Sequence, residues 1–127
     1  MKNVIVILSA LFLMSCGGSG LDQSKPENVL EIMFEAARSG DYSQMSGLCH
    51  DDADMDGDVK DVCSCGESDA DPKLLESYKE YFSKGKVTAT RIEGDKAEVD
   101  FNFGPNGTKK ETMNLVEIEG KWYLSSF

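Results

Sequence analysis

The chain has 127 residues and a formal net charge of −10, from 13 basic and 23 acidic side chains. That balance repels phosphate backbones and anionic lipid surfaces, which argues against nucleic-acid binding and against electrostatic docking on a membrane. The length supports one hydrophobic core and is too short for two.

The first element is an apolar run from Val4 to Met14 behind Lys2, closed by Leu13-Met14-Ser15-Cys16. It resembles a bacterial lipoprotein signal, in which a charged start precedes a hydrophobic segment and cleavage follows a small residue. A run of about eleven residues is too short to cross a bilayer that needs roughly 20. The resemblance implies that residues 1–15 are removed, and that Cys16 carries a diacylglycerol on its thiol and an acyl chain on its amine. Lipid of this extent holds a domain on a membrane without spanning it. Gly17-Gly18-Ser19-Gly20 opens a flexible, uncharged linker over residues 16–25. Enteric retention signals carry Asp where this chain has Gly17, so the resemblance implies the bacterial cell envelope, lipid-anchored at the outer membrane.

Residues 26–127 read as a single folded domain. Ser24-Lys25-Pro26-Glu27 has the spacing of a capping box, and Val29, Ile32, Met33, Ala36 and Ala37 recur at helical spacing up to Gly40, where a left-handed stop is needed. Asp41 can cap a second, shorter helix running to about Cys49. Asp71-Pro72 is another start signal, acid at the N-cap and proline at the first helical position. The helix it predicts runs to about Lys84, with Leu74, Leu75, Tyr78, Tyr81 and Phe82 on its apolar stripe and Gly85 ending it.

From Lys86 the period changes to two. Val87, Ala89 and Arg91 alternate with Thr88, Thr90 and Ile92, and Gly94-Asp95 supplies a hairpin turn. Ala97, Val99, Phe101 and Phe103 then face one way and Glu98, Asp100 and Asn102 the other, the mark of a sheet with one buried side. After Pro105-Asn106-Gly107, a third strand begins at Met113 and Leu115 and ends near Ile118, and Glu119-Gly120 leads to a fourth through Trp122, Tyr123 and Leu124. Helices first and a meander second predict an α+β domain, with N-terminal helices packed on an antiparallel sheet of about four strands.

Pro26, Val29, Phe34 and Ala37, then Gly40-Asp41-Tyr42, Gly94-Asp95 with Ala97 and Val99, and Leu115-Val116 with Gly120 and Trp122 resemble a bacterial lipoprotein family. It is the family of domain of unknown function 4878, in the nuclear-transport-factor-2-like superfamily. The resemblance implies a cone, a curved sheet wrapped around helices with a pocket between them, and assigns no reaction.

Residues 49–71 depart from that pattern as an acidic, cysteine-containing insertion. Asp52, Asp54, Asp56 and Asp58 occupy alternate positions of a calcium-loop pattern, with Gly57 at the sixth. Carboxylates two residues apart can converge on one hard cation when glycine permits the sharp turn. The twelfth position is Cys63, however, so the bidentate glutamate is missing, and no helix is expected to lead out of the loop. In an oxidising compartment Cys49, Cys63 and Cys65 suggest one disulfide, Cys49 with Cys63 or Cys65, and one spare thiol. A zinc site of these three with His50 is the rival, disfavoured because adjacent ligands strain tetrahedral geometry.

His50 is the one histidine and lies beside the acidic stretch, so it reads as solvent-exposed rather than catalytic. Glu98 and Asp100 fall on the strand face opposite Val99 and Phe101, away from any pocket. The expectation is a non-enzymatic envelope protein without a cofactor, binding a small apolar ligand or a partner protein. Its pocket would be shallow, mostly filled, and lined by Tyr78, Tyr81, Phe101, Phe103 and Trp122. The alternatives are a calcium-binding module, or an isomerase- or dehydratase-like enzyme with Tyr78 or Tyr81 polarising a carbonyl.

Overall fold

The computed structural model describes residues 22–127, so Cys16, the signal 1–15 and most of the linker lie outside the described residues. Helix α1 spans Pro26–Ser39 and ends at Gly40, whose φ of 79° is the left-handed stop. Proline opens the helix, but the capping box does not form. Ser24 Oγ instead donates to Asp22 Oδ1 at 2.6 Å, leaving Lys25 at the N-cap with no side-chain bond.

The linker also ends earlier than its composition suggests. Gln23 is 5% exposed, its Nε2 donates to the Trp122 carbonyl at 2.9 Å, and its own carbonyl accepts from the Trp122 amide at 2.9 Å. This fastens the chain to the last strand just before α1. Gln23→Ala leaves the Trp122 carbonyl short of a partner and is expected to cost about 1–2 kcal/mol, read as a lower urea midpoint. A change within about 0.5 kcal/mol, typical of an exposed site, would return residue 23 to the linker.

The helix expected from Asp41 is one 3₁₀ turn, Met45–Leu48, followed by a second at Asp51–Ala53. Asp41 Oδ1 accepts from the Ser43 amide at 3.1 Å and so closes a local turn instead of capping a helix. A helix does lead out of the acidic stretch, contrary to expectation: α2 spans Gly57–Ser64, with Asp56 Oδ1 capping the Val59 amide at 2.8 Å. Val59 and Val62 carry this segment into the core, so residues 49–71 contribute structure as well as charge. Helix α3 spans Pro72–Phe82, capped by Asp71 through the Lys73 amide at 2.9 Å. Only Tyr78 and Phe82 of its stripe are buried; Leu74 and Leu75 are half-buried, and Tyr81 is 38% exposed.

Strands β1 (Lys86–Glu93), β2 (Lys96–Phe103), β3 (Lys109–Ile118) and β4 (Lys121–Ser126) form an antiparallel meander in sequence order. The α+β arrangement is therefore the one expected. Val99 lies opposite Met113, and Leu115 opposite both Ala97 and Leu124. The expected phase of β1 holds only at its start. Val87 opposes Phe101 but Ala89 opposes Asp100, so a bulge at Thr88 turns Ala89 and Arg91 outward and brings Thr90 and Ile92 to the side of Val99 and Ala97. Ile92 stays 59% exposed on this edge strand. Strand β3 starts at Lys109 because its polar first residues pair with Phe103 through Asp100 despite lacking an apolar pattern.

Helix α1 packs on β1, β2, β4 and α3. Val29, Leu30, Met33, Phe34 and Ala37 meet Val99, Phe101, Met113, Leu115 and Leu124 in a core where each is at most 1% exposed. Gly85 lets this happen: a Cβ there would overlap the Phe34 ring. Its φ is not among the positive values, so close approach rather than a left-handed turn requires glycine after α3.

Candidate functional site

A hollow of about 280 Å³ opens where α2, α3 and one end of the sheet meet. Its size is near the small end of ligand sites, roughly 300–1,000 Å³. Helix α3 supplies Leu74, Ser77, Tyr78, Tyr81 and Phe82, α2 supplies Asp58, Asp61 and Val62, and Cys65, Phe103 and Phe127 complete the lining. The aromatic rings are in mutual contact. Phe82 stacks on Phe103 at 5.5 Å between centroids and meets Phe127 edge-on at 6.2 Å, and Tyr81 lies 6.5 Å from Phe103. Offset and edge-on arrangements of this kind leave apolar ring faces available to a guest.

Of the five expected pocket residues, Tyr78, Tyr81 and Phe103 line the hollow. Phe101 and Trp122 do not. Phe101 is 1% exposed against Phe34 and Phe82, and Trp122 is 4% exposed under the Gln23 strap. The interface between α1 and the sheet is filled, and the open space is displaced to the side of α3.

The polar groups at the floor are already engaged. Tyr78 is buried, and its hydroxyl donates to the Met33 carbonyl at 2.7 Å, so it has no proton to offer a substrate carbonyl. Burial holds its pKa well above the usual phenol value. The Cys65 thiol donates to the Asp61 carbonyl at 3.6 Å, and burial, reinforced by the Asp61 charge, pushes its pKa up to about 11. Among the described residues no Asp, Glu or His is buried, so no carboxylate or imidazole sits at the base of the hollow.

Two hollows of about 480 Å³ lie over the outer face of the sheet. They are wider and carry more charge, with Arg91, Glu93, Lys96, Glu98 and Asp100 in their lining beside Ile92 and Val116. Arg91 there grips Asp100 with two bonds of 2.8 Å and Glu98 with one of 3.1 Å. Hydrogen bonds from Arg91 and then Thr112 hold the Asp100 carboxyl down to about 2. Glu98 and Asp100 thus face away from the core as expected, in a surface ion-pair cluster rather than an acid-base pair. The small aromatic hollow is the better site because apolar walls, not width, bind a small guest.

The acidic stretch is pinned in pieces. Asp52 lies in the second 3₁₀ turn, its amide donating to His50 Nδ1 at 3.0 Å. Asp54 is left-handed with φ 53°, and its carbonyl accepts from Ser125 Oγ at 3.4 Å. Asp56 caps α2 with one oxygen and accepts from the Phe127 amide at 3.3 Å with the other, and Asp58 faces the aromatic hollow. No group of three or more His, Cys, Asp or Glu side chains among the described residues is placed to hold a metal ion. A calcium ion bound only by the folded protein at about 100-fold excess over its Kd would add about 2.7 kcal/mol. Melting in chelator and in millimolar calcium is expected to coincide, and a calcium-dependent rise would restore the loop as a site.

Cys49 and Cys63 form the disulfide, with Cα atoms 6.2 Å apart, and Cys65 is the free cysteine of the described residues. The bridge also removes two of the four groups a zinc site would need. His50 is half-buried rather than fully exposed, its ring 4.9 Å from that of Tyr123 and on none of the hollow's walls.

Comparison with known proteins informs the fold. A scan against family models gives no match, and a search of curated proteins gives none. Among solved structures, the chain is similar to an NTF2-like protein of Campylobacter jejuni described as a transpeptidase, at 11% identity and TM-score 0.52, over 81% of this chain and 98% of that one. It is also similar to a SEC-C motif containing protein of Rhodopseudomonas palustris, at 16% identity and TM-score 0.50, over 81% of this chain and 77% of that one. At these identities the likeness concerns the fold: three helices followed by a four-stranded antiparallel sheet, with an NTF2-like neighbour.

Proposed function

We propose that this chain is a lipid-anchored envelope protein of the kind implied by Cys16 and by the resemblance to domain of unknown function 4878. Its α+β domain binds a small apolar ligand without transforming it. The observation that carries the binding reading is the aromatic hollow of about 280 Å³ beside α3, left open while the α1–sheet interface is filled. The non-enzymatic reading draws support from the same place. Catalysis in such a site needs an acid, base or nucleophile of tuned pKa within reach of the substrate. The Tyr78 hydroxyl is bonded to Met33, and the carboxylates of Asp58 and Asp61 belong to exposed residues at the rim. A transpeptidase role, the description borne by the Campylobacter neighbour, would call for an activated nucleophile. Cys65 is shifted in the opposite direction, since burial raises its pKa and reactive thiols have lowered ones.

The test uses protein isolated from its native membrane fraction. Native mass spectrometry of the wild type should show a retained small molecule, and Ser77→Trp, which fills the hollow from an exposed helix position, should lose it. Equal retained mass in both would remove the ligand from this site. Anchoring is tested separately: palmitate labelling should vanish in Cys16→Ser, and labelling that persists would contradict the lipid anchor.

A further inference from the structure

We infer that the guest of the aromatic hollow is a small hydrophobic cation, one apolar group joined to an amine or quaternary ammonium. This rests on the binding reading above and adds the charge to it. The floor and walls, Tyr78, Phe82, Phe103 and Phe127, offer ring faces on uncharged side chains. The rim carries Asp58 and Asp61, three residues apart on α2 and therefore on one side of the helix. Neither belongs to an ion pair among the described residues, and no basic side chain lines the hollow.

Two unneutralised carboxylates beside a low-dielectric wall make the opening negative, and the chain's net charge of −10 has the same sign. Tyr81, at the same rim, already receives a cation: the Lys109 ammonium lies 5.8 Å from its ring centroid, within the range of a cation–π contact. A guest whose apolar body enters among the rings of the hollow can set its ammonium at the rim beside Asp58 and Asp61. An anionic guest would be repelled, and a neutral one would leave both carboxylates without a counter-charge.

The test compares phenethylamine, phenethyl alcohol and 3-phenylpropionate, which share one ring and differ in charge. Their titrations are followed by aromatic chemical shifts of Tyr81, Phe103 and Phe127 at low ionic strength. The amine is expected to bind about threefold or more tighter than the alcohol, the scale for exposed charge pairs, and the propionate most weakly. Raised salt should shrink the amine's advantage. Asp58→Asn with Asp61→Asn should bring the amine's affinity down to that of the alcohol measured on the same variant. Equal affinities for amine and alcohol in the wild type would overturn the charge inference and leave an apolar site standing. Preference for the propionate would overturn it in favour of Lys109. Absence of shifts with all three probes would overturn the binding reading itself.

Discussion

Gly85→Ala is expected to destabilise the domain by about 3 kcal/mol, the upper end for overpacking a tight core. The added methyl would occupy the space of the Phe34 ring. That ring is fully buried and cannot yield freely, because it lies 5.8 Å from Phe101 and 6.5 Å from Phe82 between centroids. Phe34→Ala removes the obstacle but leaves a cavity, and should cost about 3–5 kcal/mol alone. The double variant Phe34→Ala with Gly85→Ala should be more stable than the sum of its single changes, since the added methyl enters space the ring has left. Urea denaturation of the four proteins measures the coupling. Strictly additive losses would show that the two residues do not share this space.

Loss of the Cys49–Cys63 bridge is the second large effect. The sequence separation of 14 closes a loop for which the chain-entropy account gives about 3 kcal/mol. The bridge ties the chain after the first 3₁₀ turn to α2, which supplies one wall of the aromatic hollow. Cys49→Ala with Cys63→Ala is therefore expected to lower stability by about 3 kcal/mol and to weaken binding of apolar probes, whereas Gly85→Ala acts through the core. Peptide mapping without reductant should find Cys49 joined to Cys63, with Cys65 alkylated only after unfolding because burial suppresses its thiolate. Three reactive thiols in native protein would contradict the bridge.

Much of the fold is legible because local chemistry and tertiary packing agree. Asp71-Pro72 starts α3 where the cap and the proline demand it. The alternation of β2 survives intact because Ala97, Val99 and Phe101 meet α1 on one face. The failures mark places where a competing local bond or a cross-strand register decides. Asp22 takes the Ser24 hydroxyl that a capping box would use. The bulge in β1 is set by its register with β2, not by its own residues. Helix α2 is hidden in sequence because its acidic start reads as calcium ligands; only the folded chain shows Asp56 at the N-cap.

The site was half legible for a related reason. An apolar stripe marks residues that leave water but does not say whether they fill space or surround it. Phe101 and Phe103 are two apart on the same face, yet one is sealed by Phe34 and the other borders the hollow. Phe127 and Cys65 carry no pattern at all and join the site only through β4 and α2.

The central claim, an apolar binding hollow beside a filled core, is tested most directly with a neutral guest. Cyclohexanol titrated into the protein should give saturable aromatic shifts at Tyr81, Phe103 and Phe127 and leave Phe34, Phe101 and Trp122 unmoved. Ser77→Trp should abolish the response at an unchanged melting temperature. Shifts centred on Phe101 and Trp122 would place the space inside the cone, and no saturable shift would mean that the hollow binds nothing.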